Sequence, residues 1–183
     1  MIAKADIVME NFRPGTMDKL GLGYAVLQAA NPRLIYTAIS GFGQTGPHSR
    51  RPAYDSTAQA AGGLWSMNGN AGEPPMRVGS IIGDLAASLY ATIGTLAALR
   101  EVERSGLGQM VDISQQDSVV TLTESAIVNY TVNGVVATPL VVDGNSPGDL
   151  RAKPLIIAHA SGFSRFQALE LGQGPEMMRP TET

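Results

Sequence analysis

Two hydrophobic patterns alternate along most of the chain: short continuous apolar runs, and stretches in which apolar residues recur at helical spacing. Ile7-Val8-Met9 is such a run, and it stops at Glu10-Asn11-Phe12-Arg13-Pro14-Gly15, where Pro-Gly predicts a turn. A strand entering a loop is expected there. Thr16 is placed to cap a short helix through Leu20, and Tyr24 to Ala30 reads as a second helix that Asn31-Pro32 stops. Leu34 to Ile39 is rich in β-branched and aromatic residues and predicts a buried strand. Gly41 to Pro52 and Asn68 to Gly79 are loops by composition, and Asp55 to Met67 between them is a helix weakened at Gly62-Gly63.

Leu85 to Leu99 carries no charge and is mostly Ala, Leu, Ile and Ser, which predicts a helix buried on most sides. It should end near Arg104, where Gly106 and Gly108 supply a stop. Met110 to Ser114 predicts a strand and Asp117 to Asn129 a further helix. Strands alternating with helices imply an α/β fold, an open, mainly parallel sheet flanked by helices. Beyond Gly134 the periodicity decays among Pro139, Gly144, Pro147, Gly148 and Pro154. Residues 1–134 are therefore expected to form the domain, and 135–183 a divergent or poorly ordered tail ending in the Gly/Pro-rich stretch Gly172 to Thr183. Within it Ile156-Ile157 reads as a strand edge and Phe163 to Leu171 as a short helix, neither with a clear partner.

The 183 residues, 44% hydrophobic and 16% charged, suffice for one domain with a proper core. A net charge of -3 with scattered basic residues gives no footprint for nucleic acid. The absence of cysteine excludes disulfides and thiolate metal sites, and two histidines argue against a His-rich metal centre. The N-terminus shows no secretory or transit pattern, and the longest uncharged helical run is shorter than the roughly 20 residues that span a bilayer. A soluble, cytoplasmic protein without a membrane or nucleic-acid partner is the expectation.

Asp84 is the principal candidate for chemistry. In Ile81-Ile82-Gly83-Asp84-Leu85 it stands where an apolar run becomes the long helix, so the sequence places it at the N-cap. There unpaired N–H groups and the positive end of the helix dipole would keep its carboxylate ionised, as a carboxylate nucleophile requires. The plainer alternative is a helix cap alone. Asn11-Phe12-Arg13 follows a strand end, where open α/β sheets bind ligands; Arg13 could hold a phosphate and Phe12 pack on a base or a pantetheine arm, against the alternative of a solvated surface turn. Gly41-Phe42-Gly43-Gln44-Thr45-Gly46 matches a dinucleotide fingerprint in form, but Pro47, Ser49 and Pro52 prolong the loop where a helix should open. Asp55 reads as another N-cap and His48 as a loop residue. His159 and Ser161 lack a nucleophile-elbow pattern.

Taken together, Ala5 to Gly15, Leu20-Gly21-Leu22-Gly23, Asn31 to Tyr36 and Gly41 to Pro47 closely resemble the class III CoA-transferase family, which includes formyl-CoA and carnitine CoA-transferases. Order and spacing agree, and the resemblance runs on through Tyr54-Asp55, Gly83-Asp84, Ala97-Ala98-Leu99-Arg100, Gly106-Leu107-Gly108-Gln109 and Val111-Asp112-Ile113 before fading after about Gly134. It implies a partial Rossmann-like large domain and transfer of coenzyme A between an acyl-CoA and a carboxylic acid. The matching aspartate, Asp84, would form an aspartyl anhydride and then an aspartyl-CoA thioester, splitting one hard exchange into easier steps. Asn11, Phe12 and Arg13 would lie along CoA, and Tyr54 and Asp55 would border the acyl site. Lys19 falls where the family often has an arginine near CoA, a change that keeps charge and loses bidentate geometry. Coenzyme A and acyl-CoA enter as substrates, with no permanently bound cofactor, and intact family members are homodimers.

Against the family pattern the chain lacks an N-terminal strand–helix unit, a later small domain and a glycine-rich loop, so it reads as truncated at both ends. An inactive or self-associating fragment, or a non-catalytic acyl-CoA-binding remnant, is one expectation. The other alternative is an α-methylacyl-CoA racemase, but that branch has a histidine base where this chain has Tyr54, and tyrosine titrates near 10.

Overall fold

Ile35–Ser40 forms the central strand, β2, of a three-stranded parallel sheet, with β1 (Ile7–Glu10) and β3 (Met110–Ser114) on its two sides. This computed structural model describes residues 2–70 and 72–139 in full and the backbone of 155–158 and 166–169. β1 runs from Ile7↔Ile35 to Glu10↔Ala38, and β3 from Tyr36↔Met110 to Ser40↔Ser114. Helices α1 (Thr16–Lys19) and α2 (Tyr24–Ala30) carry the chain from β1 to β2. Helix α3 (Asp55–Ala61), a 3-10 turn (Leu64–Met67) and the long α4 (Ile82–Ser105) carry it from β2 to β3. Parallel strands require crossovers of this kind. After β3 come α5 (Gln115–Leu122) and α6 (Glu124–Asn133). The expected open parallel α/β sheet is present.

β2 is buried on both faces and uses them alternately, as the period of a strand demands. Leu34, Tyr36 and Ala38 pack with Leu27 of α2, and Val8, Met17, Tyr24 and Met110 close around them. Ile35 faces the other way, onto Ala98 and Val102 of α4. Thr37 also faces α4, where its hydroxyl lies 2.7 Å from that of Thr95, a buried pair in which each satisfies the other.

Helix α4 is not buried on most sides. Its small residues, among them Gly83, Ala87, Ala91, Thr95 and Ala98, face the sheet and α3, while Leu85, Leu89, Ile93 and Leu96 form an exposed stripe on the opposite face. The cause is steric. A Cβ at Gly94 would lie 2.8 Å from Val111 Cγ1, so this glycine is where α4 comes down on β3. Small residues bring the axis close and the large ones are left outside. With 24 residues and an 18-residue stretch of mean hydropathy 1.4, α4 is long and apolar enough to cross a membrane, yet one face of it packs on β2, β3, α3 and α5.

Several boundaries differ from expectation. Gly15, at φ 83°, and not Thr16, stands at the start of α1. The helix expected over Asp55 to Met67 breaks at Gly63, φ 85°. The helix expected over Asp117 to Asn129 begins at Gln115, because Ser114 Oγ accepts from the Asp117 N–H at 3.1 Å. It divides at Thr123, whose hydroxyl donates back to the Val120 carbonyl at 2.9 Å.

The chain divides into two units, Met1–Leu140 and Val141–Thr183. In the second, Leu155–Ala158 (β4) and Phe166–Leu169 (β5) pair antiparallel from Leu155↔Leu169 to Ala158↔Phe166. Of the helix expected over Phe163 to Leu171, the described part, Phe166–Leu169, is thus a strand, and the partner missing for Ile156-Ile157 is that strand. Short apolar runs do not distinguish the two states by periodicity. His159, Ser161 and 172–183 lie outside the described residues.

Gln59 ties the α3 region to the start of α4. It is fully buried and its amide uses its whole capacity: Nε2 donates to Asp55 Oδ2 at 2.8 Å and to the Ser80 carbonyl at 2.9 Å, and Oε1 accepts from Trp65 Nε1 at 3.1 Å and from the Val78 N–H at 3.2 Å. Gln59→Ala should destabilise the domain by about 2–4 kcal/mol, since it leaves several buried groups unpaired. Urea unfolding measures this, and an unchanged midpoint would contradict the role.

Candidate active site

All three strands end at one place. The segment leaving β1 (Asn11, Phe12, Arg13, Pro14), the end of β2 (Ile39, Ser40, Gly41) and the residue after β3 (Gln115) line a cavity of about 380 Å3. Asp84, Ala87 and Ser88 of α4 form another wall, with Arg51, Ala53 and Tyr54 opposite from the loop that follows β2. A crevice beyond the carboxyl ends of parallel strands is the usual ligand site of open α/β sheets.

Each wall is held by its own polar contact. Glu10, buried at the end of β1, accepts from the Phe12 N–H at 2.6 Å and from the Tyr36 hydroxyl at 3.2 Å, which sets the turn that carries Asn11 to Arg13. Burial, and then the neighbouring Glu10 carboxylate, hold the Tyr36 phenol well above its ordinary value, so it remains a donor. The loop after β2 is tied back by Asp112 of β3, whose carboxylate oxygens accept from the Gln44 N–H at 3.1 and 2.9 Å. No helix opens at this loop, so the glycine fingerprint there does not present a helix N-terminus to a pyrophosphate.

Asp84 is not the N-cap of α4. Ile81 holds that position without a side-chain bond, and Asp84 lies in the first turn with its side chain half-buried in the cavity wall. Asp55 performs the capping from α3: its Oδ1 accepts from the Gly83 N–H at 2.9 Å, while Oδ2 accepts from Gln59 and from Arg77 Nη2 at 3.4 Å. A Cβ on Gly83 would sit 3.1 Å from that Oδ1 and 3.2 Å from the Asp55 carbonyl, so a glycine allows the approach. Asp55 is buried and does not line the cavity, whereas Tyr54 beside it is exposed at the rim. The Asp84 carboxyl is pushed upward, first by burial and next by the nearby Asp55 carboxylate, while a hydrogen bond from Gln115 Nε2 to Oδ1 pulls the other way. The helix end therefore does not by itself keep Asp84 ionised.

Two guanidiniums face the carboxylate across the cavity. Arg13 and Arg51 both line it, and among the described residues neither has a carboxylate partner. Lys19, at the exposed end of α1, is not part of the lining. His48 packs on Phe42 with ring centroids 5.8 Å apart and stays outside the cavity.

Comparison with known proteins identifies the family. Residues 1–149 match CoA-transferase family III. The chain belongs to that family. Among its relatives are a succinyl-CoA–D-citramalate CoA-transferase from Chloroflexus aurantiacus, 44% identical over 134 residues, covering 73% of this chain and 33% of that protein, and an acetyl-CoA:oxalate CoA-transferase from Acetobacter aceti, 42% identical over 135 residues, covering 73% and 35%. A CAIB/BAIF family protein from Brucella suis has a crystal structure that superposes with a TM-score of 0.73 at 37% identity, covering 76% of this chain and 37% of that one. The chain spans about a third of the length of the relatives it matches. The resemblance read from the motifs is thereby borne out.

The sequence reading expected Asp84, Asn11, Phe12, Arg13, Tyr54, Asp55 and Lys19 around one site; in this family III chain the first five line one cavity, while Lys19 and the Asp55 carboxyl lie outside it. It missed Arg51, Ser40 and Gln115. Ser40 and Gln115 were legible in principle, because each stands at the carboxyl end of a strand. The Ser40 hydroxyl is buried without a hydrogen-bond partner among the described residues.

The Asp84 environment makes stability depend on pH. In acid the carboxyl is protonated in both folded and unfolded chains and costs nothing. The cost develops as pH rises through the unfolded value toward the raised folded one, and is complete above it. Asp84→Asn should therefore match the wild type in acid and exceed it at neutral pH in urea unfolding, and a margin independent of pH would contradict the assignment.

Proposed function

We propose that this chain transfers coenzyme A between an acyl-CoA and a carboxylic acid, with Asp84 as covalent nucleophile, in the cytoplasm and without a resident cofactor. The observation that carries the reading is one carboxylate, set against burial and Asp55, lining a cavity with two arginines that have no carboxylate partner among the described residues, at the carboxyl end of a family III sheet. An upward-shifted carboxylate is the better nucleophile so long as it stays ionised. Guanidiniums without a carboxylate partner suit the phosphates of CoA and the carboxylates of acid substrates.

The chemistry runs in four displacements. Asp84 Oδ2 attacks the thioester carbonyl; the C–S bond breaks and CoA thiolate leaves with the electron pair, giving a mixed anhydride. The thiolate attacks Asp84 Cγ and expels the donor acid as its carboxylate, leaving an aspartyl-CoA thioester. The acceptor carboxylate then attacks Cγ and expels CoA thiolate. Finally the thiolate attacks the acceptor carbonyl, releasing the new acyl-CoA and restoring Asp84. Asn11, Phe12 and Arg13 would lie along CoA, and Tyr54 would border the acyl group. Relatives are named for succinyl-CoA, D-citramalate, mesaconate and oxalate, so a dicarboxylate and its CoA ester are the substrates we assign, with succinyl-CoA the donor to test. The exposed Leu85, Leu89, Ile93 and Leu96 stripe supports assembly with a second copy, a homodimer in the working state. Proton transfer of the racemase type is less well supported, since His48 lies outside the cavity and the tyrosine at its rim is a poor base near neutrality.

Asp84→Asn should abolish transfer from succinyl-CoA, and hydroxylamine should trap an acyl or CoA adduct that mass spectrometry maps to Asp84; near-normal turnover by the variant would sink the mechanism. Arg13→Ala should weaken CoA binding by roughly 1.5–3 kcal/mol, the scale of a hydrogen bond to a charged group, and the effect should shrink in high salt. Equal affinities in low-salt calorimetry would make Arg13 an ordinary surface residue.

A further inference from the structure

Among the described residues, the Asp84 carboxyl receives a single side-chain hydrogen bond, from Gln115 Nε2 to Oδ1. The two residues come from different helices and line the same cavity. The Gln115 backbone is firmly placed: Ser114 before it pairs with Ser40 at the sheet end, and the Gln116 N–H after it donates to the Gly41 carbonyl at 3.0 Å. Helices α4 and α5 already pack along one another, so the amide is not needed to join them.

We propose that Gln115 holds Asp84 with Oδ2 turned to the substrate, and that it is the oxyanion donor for the two displacements in which the Asp84 carbonyl itself is attacked. This rests on the acyl-transfer reading above. In the first and last displacements the tetrahedral carbon belongs to the substrate, and Oδ1 is a bystander. In the middle two it is Cγ of Asp84 that becomes tetrahedral. When CoA sulfur bonds to Cγ of the anhydride, Oδ1 takes the displaced electron pair, then returns it as the Cγ–O bond to the donor acid breaks. When the acceptor carboxylate bonds to Cγ of the thioester, Oδ1 is again the oxyanion, until CoA thiolate departs with the C–S pair. A donor already in place on that oxygen gains strength as charge develops on it, with no reorganisation. A carboxamide is suited to this because it neither gains nor loses a proton over the working pH range, whereas a lysine would compete for the nucleophile.

The other charged groups around Asp84 are the Asp55 carboxylate of α3 with Arg77 upon it, and Arg13 and Arg51 across the cavity. From β3, Asp112 is engaged with Gln44, and on α5 Asp117 is exposed. A variant at Gln115 changes none of these charges.

The test uses the full chain with Gln115→Met, which keeps the side-chain length and removes the donor, and Gln115→Leu as a second form. By carbon NMR the Asp84 carboxyl should titrate at higher pH in both variants than in the wild type, a response that a merely structural role would not produce. With succinyl-CoA in a single turnover, loss of the hold on Asp84 should slow formation of the anhydride modestly, while release of labelled succinate, which marks the attack on Cγ, should slow about 10²-fold beyond that. Identical Asp84 titration, or succinate release at the wild-type rate, overturns the proposal. A wild-type chain that yields no trappable adduct at Asp84 overturns the acyl-transfer reading instead, and the titration then decides by itself whether Gln115 governs that carboxyl.

Discussion

The hydrogen bond from the Gly83 N–H to the Asp55 carboxylate is the contact on which the site depends. An α-helix begins with N–H groups that lack partners, and α4 has no capping side chain of its own. Asp55 supplies one from α3, which frees the Asp84 carboxylate to face the cavity. The arrangement needs a glycine at position 83, because a side chain there would meet Asp55. It also needs Gln59, which bonds Asp55 and the loop entering α4 together. The pentapeptide around Asp84 is thus intelligible as a unit. Gly83 admits the cap, Asp84 turns to the cavity, and the small residues beyond lower the helix onto the sheet.

The legible part of the sequence was whatever depends on local chemistry. Apolar runs located all three strands of the parallel sheet, Asn31-Pro32 and Gly106 located helix ends, and the motifs named the family. What was not legible depends on contacts distant in sequence. Asp84 reads as a cap because it stands at the right place for one, and only the fold shows that Asp55, 28 residues before Gly83, has the position. Gln115 was hidden by starting α5 at Asp117, although the Ser114-Gln115-Gln116-Asp117 run allows a serine cap with its acid three residues on. Phe166–Leu169 was ambiguous for another reason: a short apolar stretch becomes a strand when a partner strand is available.

The length of α4 has a similar explanation. Read by composition, its uncharged middle implies burial all round. In the fold, alanine, glycine and threonine take the inner face and the large aliphatics the outer, so hydrophobicity is uniform around the helix while packing is not. An apolar stripe that the sheet does not cover is consistent with a domain whose relatives are about three times its length.

The polar environment of Asp84 is a balance and not a single effect. A carboxylate that stays ionised in water is a weak nucleophile, and one fully desolvated would take a proton and cease to be one. Here burial and Asp55 make the group more basic, and Gln115 counters them with a donor on one oxygen only. Each contribution comes from a different helix: Asp55 from α3, Asp84 from α4 and Gln115 from α5. The basicity of the Asp84 carboxyl is therefore a property of how three helices pack at the end of the sheet. A change in that packing, even one far from the cavity, alters the basicity of this carboxyl as well as the stability.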